Sequence, residues 1–191
     1  MSVRIGFDGA MLRAPHTGSG HYSRALIDAL RALPDLDLMI LSPVSLSPEP
    51  NAIIVPPPRA CATERLRKVW WEQRGVGMAA KRARVDLVHI PNFAAPLRRE
   101  IPCIVTVHDV IPLLLPAYAG GRAMRAYLRL VSAGTRRATQ VIADSDCSRR
   151  DAIRVLGLDP RRVTAIPLAV GGAFGQERDD DVIAAVRERF G

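Results

Sequence analysis

Two polar residues, His108 and Asp109, directly follow the apolar run Cys103–Val107. Such a run predicts a buried strand, and in doubly wound α/β folds ligands bind at the carboxyl ends of the strands. A neutral imidazole at that edge can take a proton or hydrogen-bond a hydroxyl group, and a nearby carboxylate can hold the ring in place. His108 and Asp109 are therefore the candidate catalytic residues. The alternative is a histidine that only caps the last carbonyl of its strand.

A second candidate site is the glycine loop Gly18-Ser19-Gly20, which lies between a predicted first strand and a predicted helix. Glycines at this position let backbone N–H groups approach an anion, and a helix N-terminus adds favourable partial charge. The pattern is incomplete as a dinucleotide fingerprint because Ser23 stands where the third glycine would be, and it has no P-loop lysine. A phosphate site and an ordinary turn both remain open.

Segment 86–96 repeats the layout of a short apolar run that ends in a histidine, here His89, with Asn92 close behind. The same argument places both residues at the carboxyl edge of the sheet. We expect them to line a cleft rather than to carry out chemistry.

Two serines, Ser145 and Ser148, are alternative N-caps for a helix that should end at Gly157. The order helix, glycine, proline and a further element superficially suggests a helix-turn-helix. The residues that follow have strand composition, however, and Pro167 would break a recognition helix. We therefore expect no nucleic-acid partner.

The amino-acid composition limits which classes of protein this chain can belong to. The chain has 191 residues, 48% of them hydrophobic, which is enough for one sizeable core and excludes intrinsic disorder. Three cysteines without CxxC spacing and four histidines without a ligand pattern support neither a disulfide scaffold nor a metal site. No apolar run reaches the roughly 20 residues of a membrane span, and the N-terminus has no signal-peptide core. We expect a cytoplasmic protein.

The formal net charge of +8 has two explanations. Arginine richness can simply reflect a GC-rich genome, or it can attract phosphates of a nucleotide, an anionic lipid or a nucleic acid. Segment 63–84 combines several cations with Trp70 and Trp71, which suits peripheral contact with a membrane. The alternative is a helix with core tryptophans and a solvated charged face.

The elements that must position these residues alternate between short apolar runs and amphipathic stretches. This alternation predicts an α/β fold with a Rossmann-like, doubly wound, mainly parallel sheet of about seven strands and about four intervening helices. The predicted strands are Val3–Phe7, Leu36–Leu41, Ala52–Val55, Asp86–Ile90, Cys103–Val107, Gln140–Ala143 and Val163–Ile166. The predicted helices are 19–33, 63–84 with interruptions at Gly75 and Gly77, 121–138, a helix ending at Gly157, and 176–189.

Taken in order, these segments resemble the N-terminal half of a GT-B glycosyltransferase of family 4, the "group 1", mannosyltransferase-like enzymes. The resemblance covers almost the whole chain. It is carried by Gly18, Gly20 and Tyr22, by Asp86, His89 and Pro91, by Thr106, His108, Asp109, Ile111 and Pro112, by Ser145, Ser148 and Arg149, by Leu156, Gly157, Pro160 and Val163, and by Ile166, Pro167 and Val170.

The resemblance implies two Rossmann-like domains with the reaction in the cleft between them. The N-terminal domain would receive a glycan or lipid-linked acceptor, and a C-terminal domain would hold the nucleotide-sugar. The glycine loop would reach the donor diphosphate, and His108 would face the transferred sugar. Such enzymes retain anomeric configuration, usually without a metal or other cofactor, and serve bacterial polysaccharide biosynthesis. The lining residues on the acceptor side would be Tyr22, His89, Asn92 and Ser145.

On this interpretation, residues 1–170 form the acceptor-side domain and 171–191 begin an interdomain linker. The family's Arg/Lys pair and Glu-x7-Glu motif have no counterpart in the chain, so we expect little or no sugar transfer without a second domain. The alternative function is a stand-alone Rossmann-like module that binds a nucleotide or phosphate without catalysis. A DNA-binding regulator is a third possibility. The interpretation requires the glycine loop and His108 to converge at one edge of one parallel sheet.

Overall fold

A computed structural model describes residues 2–46, 49, 52–98, 100–170 and 180–190. Its centre is one sheet of seven strands, all parallel, in the order β3-β2-β1-β4-β5-β6-β7. The predicted fold class is therefore confirmed. The strands are β1 (Val3–Asp8), β2 (Leu36–Ser42), β3 (Ile53–Ile54), β4 (Leu87–Ile90), β5 (Cys103–Val107), β6 (Gln140–Ala143) and β7 (Val163–Ala165).

The strand order reverses between β1 and β4, because the chain first builds outward from β1 to β3 and then returns to the other side of β1. In open α/β sheets this switch point opens a crevice at the carboxyl ends of the strands. Asp8 ends β1, and Ile90 ends its neighbour β4. The residues just beyond them line the crevice.

Helices connect the strands and cover both faces of the sheet. They are α1 (Gly18–Arg31), α2 (Glu64–Trp70), α3 (Val76–Ala83), α4 (Ile111–Leu114), α5 (Arg122–Thr135), α6 (Asp146–Leu156) and α7 (Asp180–Phe190). Of the described helices, none has the length and apolar character needed to cross a bilayer.

Two hydrophobic clusters pack on the sheet. Neighbouring residues of a strand point to opposite faces, and in β2 Ile40 joins the cluster with Ile27 of α1 while Leu41 joins the larger cluster with Ala79 of α3. The layers are thus helix, sheet and helix, as a doubly wound fold requires.

The segment between β3 and β4 departs from the prediction. Gly75 and Gly77 do not interrupt it; instead α2 runs through a π-helical turn, Trp71–Gly75, directly into α3. A Cβ at position 75 would lie 2.5 Å from the Trp71 ring and 2.7 Å from the Trp70 ring. The glycine therefore gives both indole rings the space to pack, and this packing compensates for its low helix propensity.

Residues 171–179, the first part of the expected linker, lie outside the described residues. The helix expected over 176–189 is described as α7, Asp180–Phe190.

The start of α1 shows why its two glycines differ. The Thr17 hydroxyl caps the helix by accepting a hydrogen bond from the Gly20 N–H at 3.1 Å. A Cβ on Gly20 would come within 2.1 Å of the Ala14 carbonyl oxygen, whereas a Cβ on Gly18 would meet no atom within 4 Å. Gly20 is required by packing, while Gly18 faces open space.

Substitution of the two glycines by alanine should therefore give different results. Gly20→Ala should lower the free energy of unfolding by about 3 kcal/mol, because the backbone of the preceding loop must move. Gly18→Ala is the matched control and should change it by less than about 0.5 kcal/mol. Urea denaturation of the two variants measures the difference. Equal effects would show that the close approach at Gly20 does not constrain the loop.

Candidate functional site

The imidazole of His108, which follows β5, is held by groups that follow both neighbouring strands. Its Nδ1 lies 2.6 Å from Oδ2 of Asp144, beyond β6, and its Nε2 lies 3.1 Å from the Pro91 carbonyl oxygen, beyond β4. Both partners are hydrogen-bond acceptors, so only a doubly protonated ring satisfies both. In this arrangement neither ring nitrogen is free to take a proton from a ligand, which departs from the neutral general base considered from the sequence.

Asp109 does not supply the carboxylate that holds the ring. Its Oδ1 accepts a hydrogen bond from the Ile111 N–H at 2.9 Å and so shapes the turn into α4. The carboxylate belongs to Asp144, which the sequence analysis did not single out. Its signal was available, since Asp144 follows the apolar run of β6, the neighbour of β5 in the sheet.

Tyr22 brings the glycine loop to His108. It lies in the first turns of α1, and its ring meets the imidazole edge to face, with centroids 4.8 Å apart and an interplanar angle of 86°. Its hydroxyl lies 3.2 Å from the Thr106 hydroxyl within β5. The sheet is parallel throughout, and the Tyr22–His108 contact brings the first turns of α1 to His108 at its carboxyl edge, as the interpretation requires.

His89 lies beneath this edge rather than in an open cleft. It is 7% exposed, and its Nε2 is 2.9 Å from the Thr106 hydroxyl. Burial lowers the pKa of His89 to about 4, so the ring is neutral near pH 7. His89 therefore supports the Thr106 hydroxyl from below, and that hydroxyl in turn contacts the Tyr22 hydroxyl.

Ser145 is the N-cap of α6, because its hydroxyl accepts a hydrogen bond from the Ser148 N–H at 3.0 Å. The hydroxyl of Ser148 donates to the backbone carbonyl of His108 at 3.0 Å. The two serines therefore fix the start of α6 against the turn that carries His108. Of the two capping alternatives, the Ser145 cap is the one observed.

Beside this cluster the carboxyl edge opens into a cavity of about 860 Å³. Of the four residues that the sequence analysis expected to line a cleft, Asn92 alone borders this cavity. The cavity lies between the end of β1, the helix α2 and the helix α5, and its other walls include Met11, Val44, Pro57, Leu66, Val69, Met124 and Leu130. Its surface is mainly apolar, but charged residues also border it: the buried Asp8 and Glu72, and the more exposed Arg13, Glu64, Arg65, Arg67 and Lys68.

Asp8 is the first of these buried acids and is 3% exposed. Its Oδ1 accepts hydrogen bonds from the Trp71 indole N–H at 2.9 Å and from the Ala10 N–H at 3.0 Å. Burial raises the pKa of Asp8 from 3.8 to about 6 despite these donors. The sequence analysis did not single out Asp8, which directly follows the predicted strand Val3–Phe7.

Glu72, also 3% exposed, is the second buried acid. Its Oε1 lies 2.9 Å from the Lys68 ammonium and accepts a hydrogen bond from the Tyr127 hydroxyl at 3.0 Å. Burial raises the pKa of Glu72, and the charge of Lys68 partly opposes this. Nothing in the periodicity of 63–84 marked Glu72 as an inward-facing residue, because the π-helical turn shifts it.

The same turn decides the environment of the tryptophans. Trp71 is 2% exposed, and the partly buried Trp70 packs against the larger core cluster. This packing agrees with the alternative of core tryptophans on the helix. Among the described residues there is also no group of three or more His, Cys, Asp or Glu side chains arranged to hold a metal.

The raised pKa of Asp8 predicts a pH dependence of stability. Between pH 3.8 and about 6 the folded protein retains a proton that the unfolded chain has released. The contribution of Asp8 to the free energy of unfolding therefore falls as pH rises through this window, by roughly 3 kcal/mol in all. Asp8→Asn removes this titration and keeps an oxygen acceptor for Trp71.

The free energy of unfolding of Asp8→Asn minus that of the unmodified chain should accordingly increase between about pH 4 and pH 7, on the order of 2 kcal/mol. Urea denaturation across this range measures it, and Asp28→Asn, on the exposed face of α1, is the matched control. A difference that does not vary with pH would contradict the assignment.

Comparison with known proteins now adds to this geometry. Two crystal structures share the fold: HepE of Anabaena in complex with UDP (20% identity, TM-score 0.59) and a glycosyltransferase of Rickettsia africae (11% identity, TM-score 0.52). Each alignment covers 98% of this chain but 49% of the other, so the chain spans about half the length of these relatives. No curated protein sequence matches. The family model for Glycosyltransferase Family 4 matches residues 16–171, and the chain therefore belongs to this family.

Proposed function

We propose that residues 1–170 are the acceptor-side domain of a retaining glycosyltransferase, which moves a sugar from a nucleotide-sugar to a glycan or lipid-linked acceptor. The observation that carries this proposal is the convergence of the start of α1 and the His108–Asp144 pair at one edge, next to a cavity of about 860 Å³. A donor approaching this edge would meet a helix N-terminus and a held imidazole together.

The donor diphosphate would lie at the glycine loop. The open space around Gly18 leaves room for a ligand against the N-terminus of α1, where backbone N–H groups and the helix dipole favour negative charge. The solved HepE structure contains UDP, which supports a uridine nucleotide as one donor to test. Ser19 lies between the glycines and would contribute its N–H.

His108 would act as a fixed, charged group rather than as a proton acceptor. Its two ring nitrogens lie against acceptors inside the domain, so the ring is held in place, and the doubly protonated form that would donate to both acceptors would carry the positive charge. A preorganised positive charge beside the reacting sugar stabilises negative charge that develops on the departing phosphate. Asp109 would then support the turn that presents the ring.

Sugar transfer of this kind needs no resident metal or other cofactor, because N–H groups and basic side chains stabilise the leaving group. The donor-binding half would be a second Rossmann-like domain of the same enzyme, joined through the linker that begins near residue 171. A cytoplasmic location fits a nucleotide-sugar donor. Peripheral contact with the membrane would rest on the basic surface and not on the tryptophans.

The test compares the 191-residue chain with the full product of its gene. Each is incubated with radiolabelled UDP-sugars and GDP-sugars and with extracted lipids and oligosaccharides. We expect the longer product to transfer sugar with retention of configuration, and the 191-residue chain alone to give no turnover above background. A gene product without a second α/β domain, which binds a nucleotide but transfers nothing, would favour the alternative of a stand-alone nucleotide-binding module.

The role of the His108–Asp144 pair predicts a specific loss of rate. In the active enzyme, Asp144→Asn should lower kcat by roughly 10- to 100-fold, since it removes the charge that fixes the imidazolium beside the leaving phosphate. Asp151→Asn, on the next turns of α6 and paired with Arg154, is the matched control and should retain the unmodified rate. Equal rates for both variants would remove Asp144 from the mechanism.

A further inference from the structure

The inner end of the cavity holds buried polar atoms that have no partner. Oε2 of Glu72 and Oδ1 of Asn92 are buried and make no hydrogen bond within the described part of the chain. Glu72 is 3% exposed, and both residues border the cavity. Buried polar atoms without a partner destabilise a fold, and one explanation of such an atom is a ligand that is absent.

The two carboxylates at this end point to the chemistry of the missing partner. Glu72 uses only Oε1 for Lys68 and Tyr127, and Asp8 uses Oδ1 for Trp71 and Ala10. Carboxylate and amide oxygens accept hydrogen bonds, so the complementary ligand must donate them. Two acidic groups disfavour an anionic ligand, and the burial that raises their pKa values disfavours a strongly cationic one, which leaves a neutral donor such as a hydroxyl.

The outer walls of the cavity present apolar side chains, unlike the hydrogen-bond acceptors at its inner end. Leu66 of α2 is 52% exposed and Met124 of α5 is 46% exposed, and they border the same cavity as Val69 and Leu130. A concave apolar surface of this size is typical of a site for a ligand with substantial apolar area. Charged side chains, among them Arg65 and Lys68 of α2, also border these walls, so the cavity offers acceptors at its inner end and apolar contact beside cationic groups along its walls.

We propose that this cavity binds the sugar acceptor, and that the acceptor is a hydroxylated amphiphile whose hydroxyl groups donate to Glu72, Asp8 and Asn92 while its apolar body lies against α2 and α5. The proposal rests on the glycosyltransferase function and selects one acceptor class within it. A free, fully polar oligosaccharide would leave the apolar walls without a partner.

The test uses n-octyl β-D-glucoside, kept below its critical micelle concentration, as the probe in calorimetric titrations of the 191-residue chain. D-glucose provides the hydroxyls without the chain, and the per-O-methylated octyl glucoside provides the chain without the donors. Octyl glucoside should bind at least tenfold more tightly than either. Equal affinity for D-glucose or for the per-O-methylated compound would overturn the proposal.

Substitutions locate the two halves of the site. Glu72→Met should weaken the binding of octyl glucoside at least tenfold without weakening that of the per-O-methylated compound. Glu100→Met is its matched control, because Glu100 pairs with Lys81 on another part of the surface and should leave both affinities unchanged. Loss of binding in the Glu100 variant, or none in the Glu72 variant, would place the probe elsewhere.

Met124→Lys tests the apolar wall at a position exposed enough to tolerate the change, so it also decides the question if the Glu72 variant does not fold. It should weaken the binding of both alkyl compounds at least tenfold. Met78→Lys is its control, since Met78 on α3 is 45% exposed and lies outside this cavity. Equal effects of the two lysines would overturn the proposal.

The outcomes separate this inference from the proposed function. If the full gene product transfers sugar to a polar glycan while octyl glucoside does not bind, the amphiphile proposal fails and the transferase function stands. If the probe binds as expected but no nucleotide-sugar supports transfer, the cavity assignment stands as a binding site and the transferase function fails.

Discussion

The geometry of this edge depends on the contacts of the two ring nitrogens of His108. One imidazole links the ends of three adjacent strands, through Asp144 after β6 and the Pro91 carbonyl after β4. Tyr22 adds α1 to the same cluster. A side chain with hydrogen bonds on both nitrogens and an aromatic contact has few alternative rotamers, so the strand ends and the start of α1 must keep their relative positions. A preorganised site requires this kind of rigidity.

Buried polar groups are concentrated at this edge, and each has a different consequence. His89 is kept neutral and supports Thr106. Asp8 and Glu72 are buried acids with raised pKa values, and each has one oxygen engaged by donors within the domain. Polar groups at such positions reduce the stability of the fold relative to an apolar core. Asp8 and Glu72 both border one cavity, which our proposal explains by ligand recognition.

The fold could be predicted from the sequence, because short buried runs and amphipathic stretches alternate clearly along the chain. The same pattern predicted where His108 lies, since strand direction alone shows which residues follow a strand at the carboxyl edge of a parallel sheet. The role of Asp109 could not be read in this way. Whether a carboxylate reaches the ring depends on which strand is the neighbour, and sheet order places Asp144 there although it lies 36 residues away.

The cavity was harder to foresee for a related reason. A regular helix over 63–84 would place its residues at intervals of 100°, and the π-helical turn at Trp71–Gly75 changes this register. Trp71 and Glu72 therefore face inward; the sequence analysis had left a core position open for Trp71 but gave no indication of one for Glu72. A π-helical turn has no reliable sequence signature, and the space that Gly75 leaves for two indole rings becomes evident only in the structure.

The most direct measurement of the central claim is a crystal structure of the full gene product with a bound nucleotide-sugar. The account predicts that the diphosphate lies within hydrogen-bonding distance of the N–H groups of Gly18 and Ser19, and that the transferred sugar lies against His108 and opens toward the cavity bordered by Glu72. A nucleotide bound away from this carboxyl edge, with His108 facing only solvent, would contradict it.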